Sequence, residues 1–357
     1  MDTDDHAPAA AGEGLPGRTR LTINDIARLA EVSKKTVSRV INNSPFVRPE
    51  TREKIAAIIR EHDYAPDPQA RGLAFRRSFL IGMIYDNPNP QYVVNMQQGL
   101  LDGLRDSGFE LVVHPCERSS PTFLHDVRSF VERQKLFGVV LPPSVAEDER
   151  LPPILNELGC AYVRIASLPL DGHERMMVSY DRLGGAEVGR YLADLGHSRV
   201  AFISGPPSFI SSSERRGGLE DGLAERGLRL EPEYSVEGGY TFESGEAFGA
   251  ALLALPRRPT AIFAGNDEMA AGVLHAARRA GVRVPEDLTV VGFDDFQIAS
   301  RVWPSLTTVH TETREVGRRA ALKLISGGEE PAPHDPGGAI LRPRLVVRES
   351  SGPPSSS

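Results

Sequence analysis

With 357 residues, 40% of them hydrophobic and 25% charged, the chain has the make-up of a soluble globular protein of two or three domains. No run approaches the ~18 consecutive apolar residues of a membrane span, which excludes a helical membrane protein. The net charge of −7 hides an asymmetry: Arg18 to Arg77 holds 13 Lys/Arg against 7 Asp/Glu, so that stretch is +6 and the remainder −13. A basic head on an acidic body fits a DNA-binding module joined to a part that meets no phosphates.

The first 20 residues are acidic and rich in Pro, Gly and Ala, with neither a basic nor an apolar export region. They are expected to be a disordered leader on a cytoplasmic protein. Thr22 to Asn42, TINDIARLAEVSKKTVSRVIN, reads as two short helices with a tight corner at Ala30–Glu31–Val32. Ile23, Ile26, Ala27 and Ala30 form the buried face of the first, which Asn24 or Thr22 caps. Ser33 is placed to cap the second, whose Val37, Val40 and Ile41 face inward. Lys34, Lys35, Ser38, Arg39 and Asn42 then line its outer face, all hydrogen-bond donors and three of them cationic. A recognition helix in a major groove needs such a stripe, because Arg and Lys read guanine and Asn reads adenine.

A third helix is expected from Pro49 to about His62, its Ile55, Ile58 and Ile59 closing a three-helix core over residues 21–66. Asp67–Pro68 restarts the pattern for a short helix, Gln69 to Ala74, too brief to hold alone; residues 67–77 form a hinge helix or linker. From Phe79 the sequence alternates apolar runs with amphipathic helices. LIGMIY, ELVVHP, GVVLP, AYVRIA, RVAFISG, AIFAGN and LTVVGFDD read as buried parallel strands. The helices fall at Val94–Ser107, Gly184–Leu195, Arg215–Arg226, Ser244–Leu255 and Met269–Gly281. This is a βαβ series, hence a doubly wound α/β body over 78–350, expected as two similar subdomains with crossings near 178 and 308. Ligands in such folds sit at the carboxyl ends of strands. Residues 351–357 are expected to be a disordered tail.

Motifs of catalysis are missing. GxGxxG occurs once, at Gly12–Gly17, with no strand before it, and carries no nucleotide. There is no GxxxxGK[ST], no GxSxG, no metal spacing among the nine histidines and no local nucleophile–base pair. Cys116 and Cys160 lie far apart in apolar settings, as core residues of a reducing compartment do. No cofactor, metal or enzymatic activity is expected. An exported sugar receptor would lack the basic helix-turn-helix, and a Rossmann-type enzyme would need a phosphate-binding loop.

TINDIARLAEVSKKTVSRVIN, VRPETREKIAAIIREHDYAPDPQARGLA, GHSRVAFISGP, AIFAGNDEMAAGVL, PEDLTVVGFDD and PSLTTV together resemble the LacI/GalR (lactose-repressor) family of bacterial transcriptional regulators, over roughly Leu21 to Ser350. The resemblance implies a helix-turn-helix headpiece and hinge helix on a periplasmic-binding-protein-like body. It further implies a homodimer on a near-palindromic operator, with a small carbohydrate effector in the cleft of the body. By the same likeness Lys34, Lys35 and Arg39 read bases. Thr22, Ser33, Thr36, Ser38, Asn42, Tyr64 and Ala70 are further DNA contacts or supports, and Leu73 wedges into the minor groove, a way to kink DNA. Asn89, Tyr92, Asp181, Arg215, Asn266 and Asp294 are the implied effector residues, with Tyr240 and His310 as further candidates. Two positions depart from the family pattern. Ala166–Ser167 replaces an acidic–basic pair, which implies a roomier pocket. Arg182 stands where Asn is common, which argues against a monosaccharide-type pocket. A Pro/Ser-rich tail in place of a leucine-heptad segment implies a dimer rather than a tetramer.

Overall fold

The structure, a computed structural model, describes residues 21–41, 46–62, 64, 78–328 and 341–355. The expected hinge helix with Ala70 and Leu73, the leader, and Asn42 lie outside them. The chain divides into two compact units, 1–77 and 78–357.

In the first unit α1 (Ile23–Leu29), α2 (Lys34–Ile41) and α3 (Pro49–Glu61) enclose a small core of Ile26, Ala27, Ala30, Val37, Val40 and Ile55. Local chemistry sets each end. Thr22 and Asp25 make a reciprocal capping box at α1. Ser33 Oγ accepts from the Thr36 amide, 3.1 Å away, at α2, and Pro49 opens α3. The corner between α1 and α2 turns on Glu31 in the left-handed region, φ 56°, which fixes how the two helices cross.

The second unit holds two parallel sheets of the same winding. The first comprises β1 (Leu80–Tyr85), β2 (Glu110–Pro115), β3 (Gly138–Leu141), β4 (Ala161–Ala166) and β5 (Met176–Val178), in the spatial order 2-1-3-4-5. The other comprises β6 (Val200–Ser204), β7 (Ser235–Glu237), β8 (Ala261–Ala264) and β9 (Thr289–Val291), in the order 7-6-8-9. Strand order reverses at β1/β3 and at β6/β8, so each sheet opens a crevice there, at the carboxyl ends of its strands.

Helices cover both sheets: α4 (Pro90–Leu104), α5 (Phe123–Gln134), α6 (Leu151–Glu157), α7 (Asp181–Asp194), α8 (Ile210–Ala224), α9 (Phe242–Leu253), α10 (Asp267–Arg279), α11 (Gln297–Arg301) and α12 (Thr313–Ser326). Alpha7 and α8 touch backbone to backbone. A Cβ on Gly185 would lie 2.3 Å from the Arg215 carbonyl oxygen, and one on Gly218 2.1 Å from that of Arg182. No side chain fits at either position, and this glycine contact sets where Arg215 stands.

The chain crosses between subdomains after β5 and again after β10 (Thr308–His310), where α12 joins the first subdomain. A third crossing, not foreseen from sequence, follows α12. Beta11 (Arg344–Val346) pairs antiparallel with β10, and Ser350 bonds Val290 in the second subdomain. The start of the expected tail is anchored. Ser351 Oγ meets Tyr191 and Thr307, and the Gly352 carbonyl accepts from Thr289 and contacts His197 Nε2.

Candidate nucleic-acid interface and ligand cleft

On α2 the apolar side is sealed by Val37 and Val40, which leaves Lys34, Lys35 and Arg39 exposed. None of the three makes an ion pair within the described protein. Ser33 and Thr36 cap the helix, their hydroxyls 2.9 Å apart. Thr22 and Tyr64 sit at the edges of the same three-helix unit, Tyr64 packed against its core. A helix that presents unspent cations on one face, held rigid by its core and cap, is built to meet phosphates and base edges.

In the larger unit Asn89, Tyr92, Asp181, Arg215, Tyr240, Asn266 and Asp294 line one cleft between the two sheets, with a volume of about 740 Å³ out to its mouth. Its centre is Arg215, which is 9% exposed. Arg215 Nε donates to Asp181 Oδ1 at 2.8 Å, Nη2 to Asp294 Oδ1 at 3.4 Å and Nη1 to the Gly265 carbonyl. Its guanidinium lies 3.8 Å from the Phe293 ring centroid. Ser167 and Ser179 both donate to Asp181 Oδ2. Asn89 caps α4 and Asn266 caps α10, each through its own side-chain oxygen. Asn266 Nδ2 also donates to the Tyr240 carbonyl at 3.0 Å, which fixes the amide's orientation.

Burial dominates the electrostatics. The Asp294 carboxyl is pushed up to about 7 by desolvation, with Asp181 adding to the rise and Arg215 opposing it. Desolvation likewise raises the phenols of Tyr92 and Tyr240. Asp294 and Tyr240 also hold positive φ, 112° and 62°, a costly backbone that clusters at functional sites.

Two sequence expectations fail here. His310 does not reach the cleft lining: its Nδ1 is turned to Asp295 at 2.9 Å and its Nε2 to Glu312 at 3.1 Å, and these two carboxylates hold the ring. Arg182 is likewise outside the cleft lining. It grips Asp221 at 2.8 Å on the flank of α7 and α8, so it says nothing of the sugar class. Ser167 acts as a support of Asp181, to which its hydroxyl donates. Arg215, expected near a helix start, stands in the second turn of α8.

Sequence reasoning missed Phe209, Ser211, Glu312 and Thr313 in the lining, and also Glu147. Glu147 belongs to a short 3-10 turn, Val145–Glu147, after β3. Its Oε2 accepts from the Ile210 amide at 2.9 Å, across the cleft.

Comparisons with known proteins cover both units. A model described as bacterial regulatory proteins, lacI family, matches residues 22–67, and one described as a periplasmic binding protein-like domain matches 190–351. The ribose operon repressor of Escherichia coli (strain K12) is 33% identical over 85% of this chain and 92% of its own. A solved complex of the transcriptional regulator CelR with cellobiose matches at 30% identity and a TM-score of 0.68, over 93% of this chain and 100% of that one. A lac repressor dimer bound to operator and the anti-inducer ONPF matches at 26% identity and 0.73, over 94% and 100%.

Proposed function

The chain belongs to the lacI family of bacterial regulatory proteins, and from that premise we propose that it represses transcription as a homodimer whose operator affinity is set by a small uncharged carbohydrate. Members of the family are DNA-binding, sugar-responsive regulators rather than enzymes. What is specific to this chain is the choice of effector, the near-palindromic operator and the assignment of roles. Lys34, Lys35 and Arg39 read base edges, while Ser33, Thr36 and Ser38 hold phosphate or the helix itself. Asn89 on one subdomain and Arg215, Asn266 and Asp294 on the other grip hydroxyls. No described helix is long and apolar enough to cross a membrane, in keeping with action in the cytoplasm.

The observation that carries the effector class is the charge of the lining. Arg215 is the one cation among the described lining residues, and Asp181 and Asp294 already occupy it; Glu312 adds a further carboxylate. A sugar phosphate or uronate would meet acidic groups with no free partner. A neutral sugar offers hydroxyls that donate to the carboxylates and accept from Asn89 and Asn266, with its apolar face toward Tyr92, Phe209 and Tyr240. Bound sugar shifts operator affinity by its differential affinity for the two subdomain arrangements, and by no more.

A thermal-shift screen tests this. Neutral mono- and disaccharides, including ribose and cellobiose, are set against galacturonate and glucose 6-phosphate. A ligand at about 100 Kd stabilises the folded state by about 2.7 kcal/mol, and the neutral set is expected to supply the hits. Hits confined to the acidic sugars would overturn the charge argument.

A further inference from the structure

Alpha8 begins without a cap of its own. Phe209 precedes it and supplies no side-chain hydrogen bond, so the Ile210 amide depends on a partner elsewhere. Glu147 provides one from the opposite subdomain: its Oε2 accepts from the Ile210 amide at 2.9 Å, at the positive end of the helix dipole. The side-chain bonds joining Ser167 and Ser179 to Asp181 lie beside the 178–181 crossing. The Glu147 bond lies away from the crossings, on the helix that carries Arg215. The other carboxyl oxygen, Oε1, is sealed from solvent and has no hydrogen-bond partner among the described residues.

We propose that Glu147 is a proton-sensitive latch: it holds the cleft shut by capping, from the first subdomain, the helix of the second subdomain that bears Arg215. The charged and titratable groups that face it are few. Arg118 (beyond β2) and Arg164 (on β4) favour its charge, as does the Ile210 amide, while Asp181 on α7 opposes it. The Tyr92 phenol on α4 faces it as a neutral group. Desolvation outweighs these and pushes the carboxyl up to about 7. With the cleft open the carboxyl returns to water and to an ordinary value near ~4.3. The closed form therefore binds a proton that the open form releases. Closure is most favoured below the open-state value, weakens as pH rises, and stops weakening above about 7. The carboxyl of the closed latch thus exchanges its proton near neutrality, independently of what the cleft binds.

Amide hydrogen exchange in the full-length protein reads the latch directly. Site-resolved exchange at Ile210 is compared with Phe202 in β6 between pH 5.5 and 8, after correction for intrinsic rates. No ligand is added, so the outcome stands apart from the carbohydrate assignment. In the native protein, protection at Ile210 is expected to fall about tenfold or more over this range relative to Phe202. Glu147→Gln, which keeps an acceptor but cannot ionise, should flatten that dependence, and Glu147→Ala should remove Ile210 protection at every pH. An unchanged pH slope in Glu147→Gln would place the proton elsewhere. Undiminished protection in Glu147→Ala would show that the contact holds nothing shut.

Discussion

The headpiece and the cleft place their polar groups in opposite ways. On α2, Lys34, Lys35 and Arg39 are exposed and have no ion-pair partner in the described protein, while the core beneath them is wholly apolar. In the cleft, Arg215, Asp181 and Asp294 are buried and already bonded to one another, and Asn266 is buried and bonded to the Tyr240 carbonyl. A surface that waits for DNA can leave its donors in water, where they cost nothing. A pocket that excludes water has to satisfy its own charges first, so a ligand must exchange bonds rather than add them. The same residue types therefore answer differently to mutation in the two places.

The sharpest contrast is expected at Arg215. Arg215→Met leaves Asp181 and Asp294 buried without their cation, and should cost about 3–5 kcal/mol of stability in urea unfolding. A loss within error would mean that the cleft is wetter than its burial indicates. Asp294→Asn probes the same cluster from the other side. Removing a charge-assisted acceptor should cost about 1.5–3 kcal/mol of sugar affinity by calorimetry, with ligand-free operator binding near normal.

Asp294→Asn should also change the pH profile. With its folded value at about 7, above the ordinary 3.8, Asp294 contributes stability that is full below 3.8 and is lost as pH rises through 7. The native protein should then lose more stability from pH 5 to 8 than the variant does. Equal slopes would remove Asp294 from the account.

On the headpiece, Arg39→Ala should weaken operator binding by about 1–3 kcal/mol per half-site and leave the melting temperature unchanged. If all DNA sequences weaken equally, Arg39 holds phosphate instead of a base. Ser33→Ala should show the smallest effect, about 1 kcal/mol of stability through the lost cap. Operator affinity as a whole should fall linearly in log K with log salt. Salt-independent binding would break the headpiece side of the comparison.

What could be read from sequence follows the same divide. The headpiece was legible nearly residue by residue, because its core and its exposed stripe are both local helical patterns. Beta1 to β4, β6, β8 and β9 were legible as apolar runs. Helix starts in the body were placed several residues late, for a physical reason. Their first turns, such as Ile210-Ser-Ser-Ser-Glu in α8 and Pro-Gln-Tyr in α4, face the cleft and so lack the apolar repeat that marks a helix; serine also favours caps over interiors. Asn89, Arg215, Asn266 and Asp294 were found through likeness to a family. Spacing alone does not single them out. Glu147 was beyond reach, since its meaning depends on an amide 63 positions away. Alpha12, not among the expected helices, carries an apolar repeat at Val316, Ala320, Ala321 and Leu324 that is present in the sequence.

The third crossing bears on how the protein is made. The first subdomain lacks α12, which packs against α4 and completes its apolar core, until residue 326 has been synthesised. The second lacks Ser350 and Gly352, which close the edge beside β9, until residue 352 has been synthesised. The headpiece leaves the ribosome first, with all of its described core between Ile26 and Ile55, and can fold while the rest is still being translated. During that interval a finished DNA-binding face is tethered to a body that has no cleft, and so to a nascent chain that no effector can yet govern.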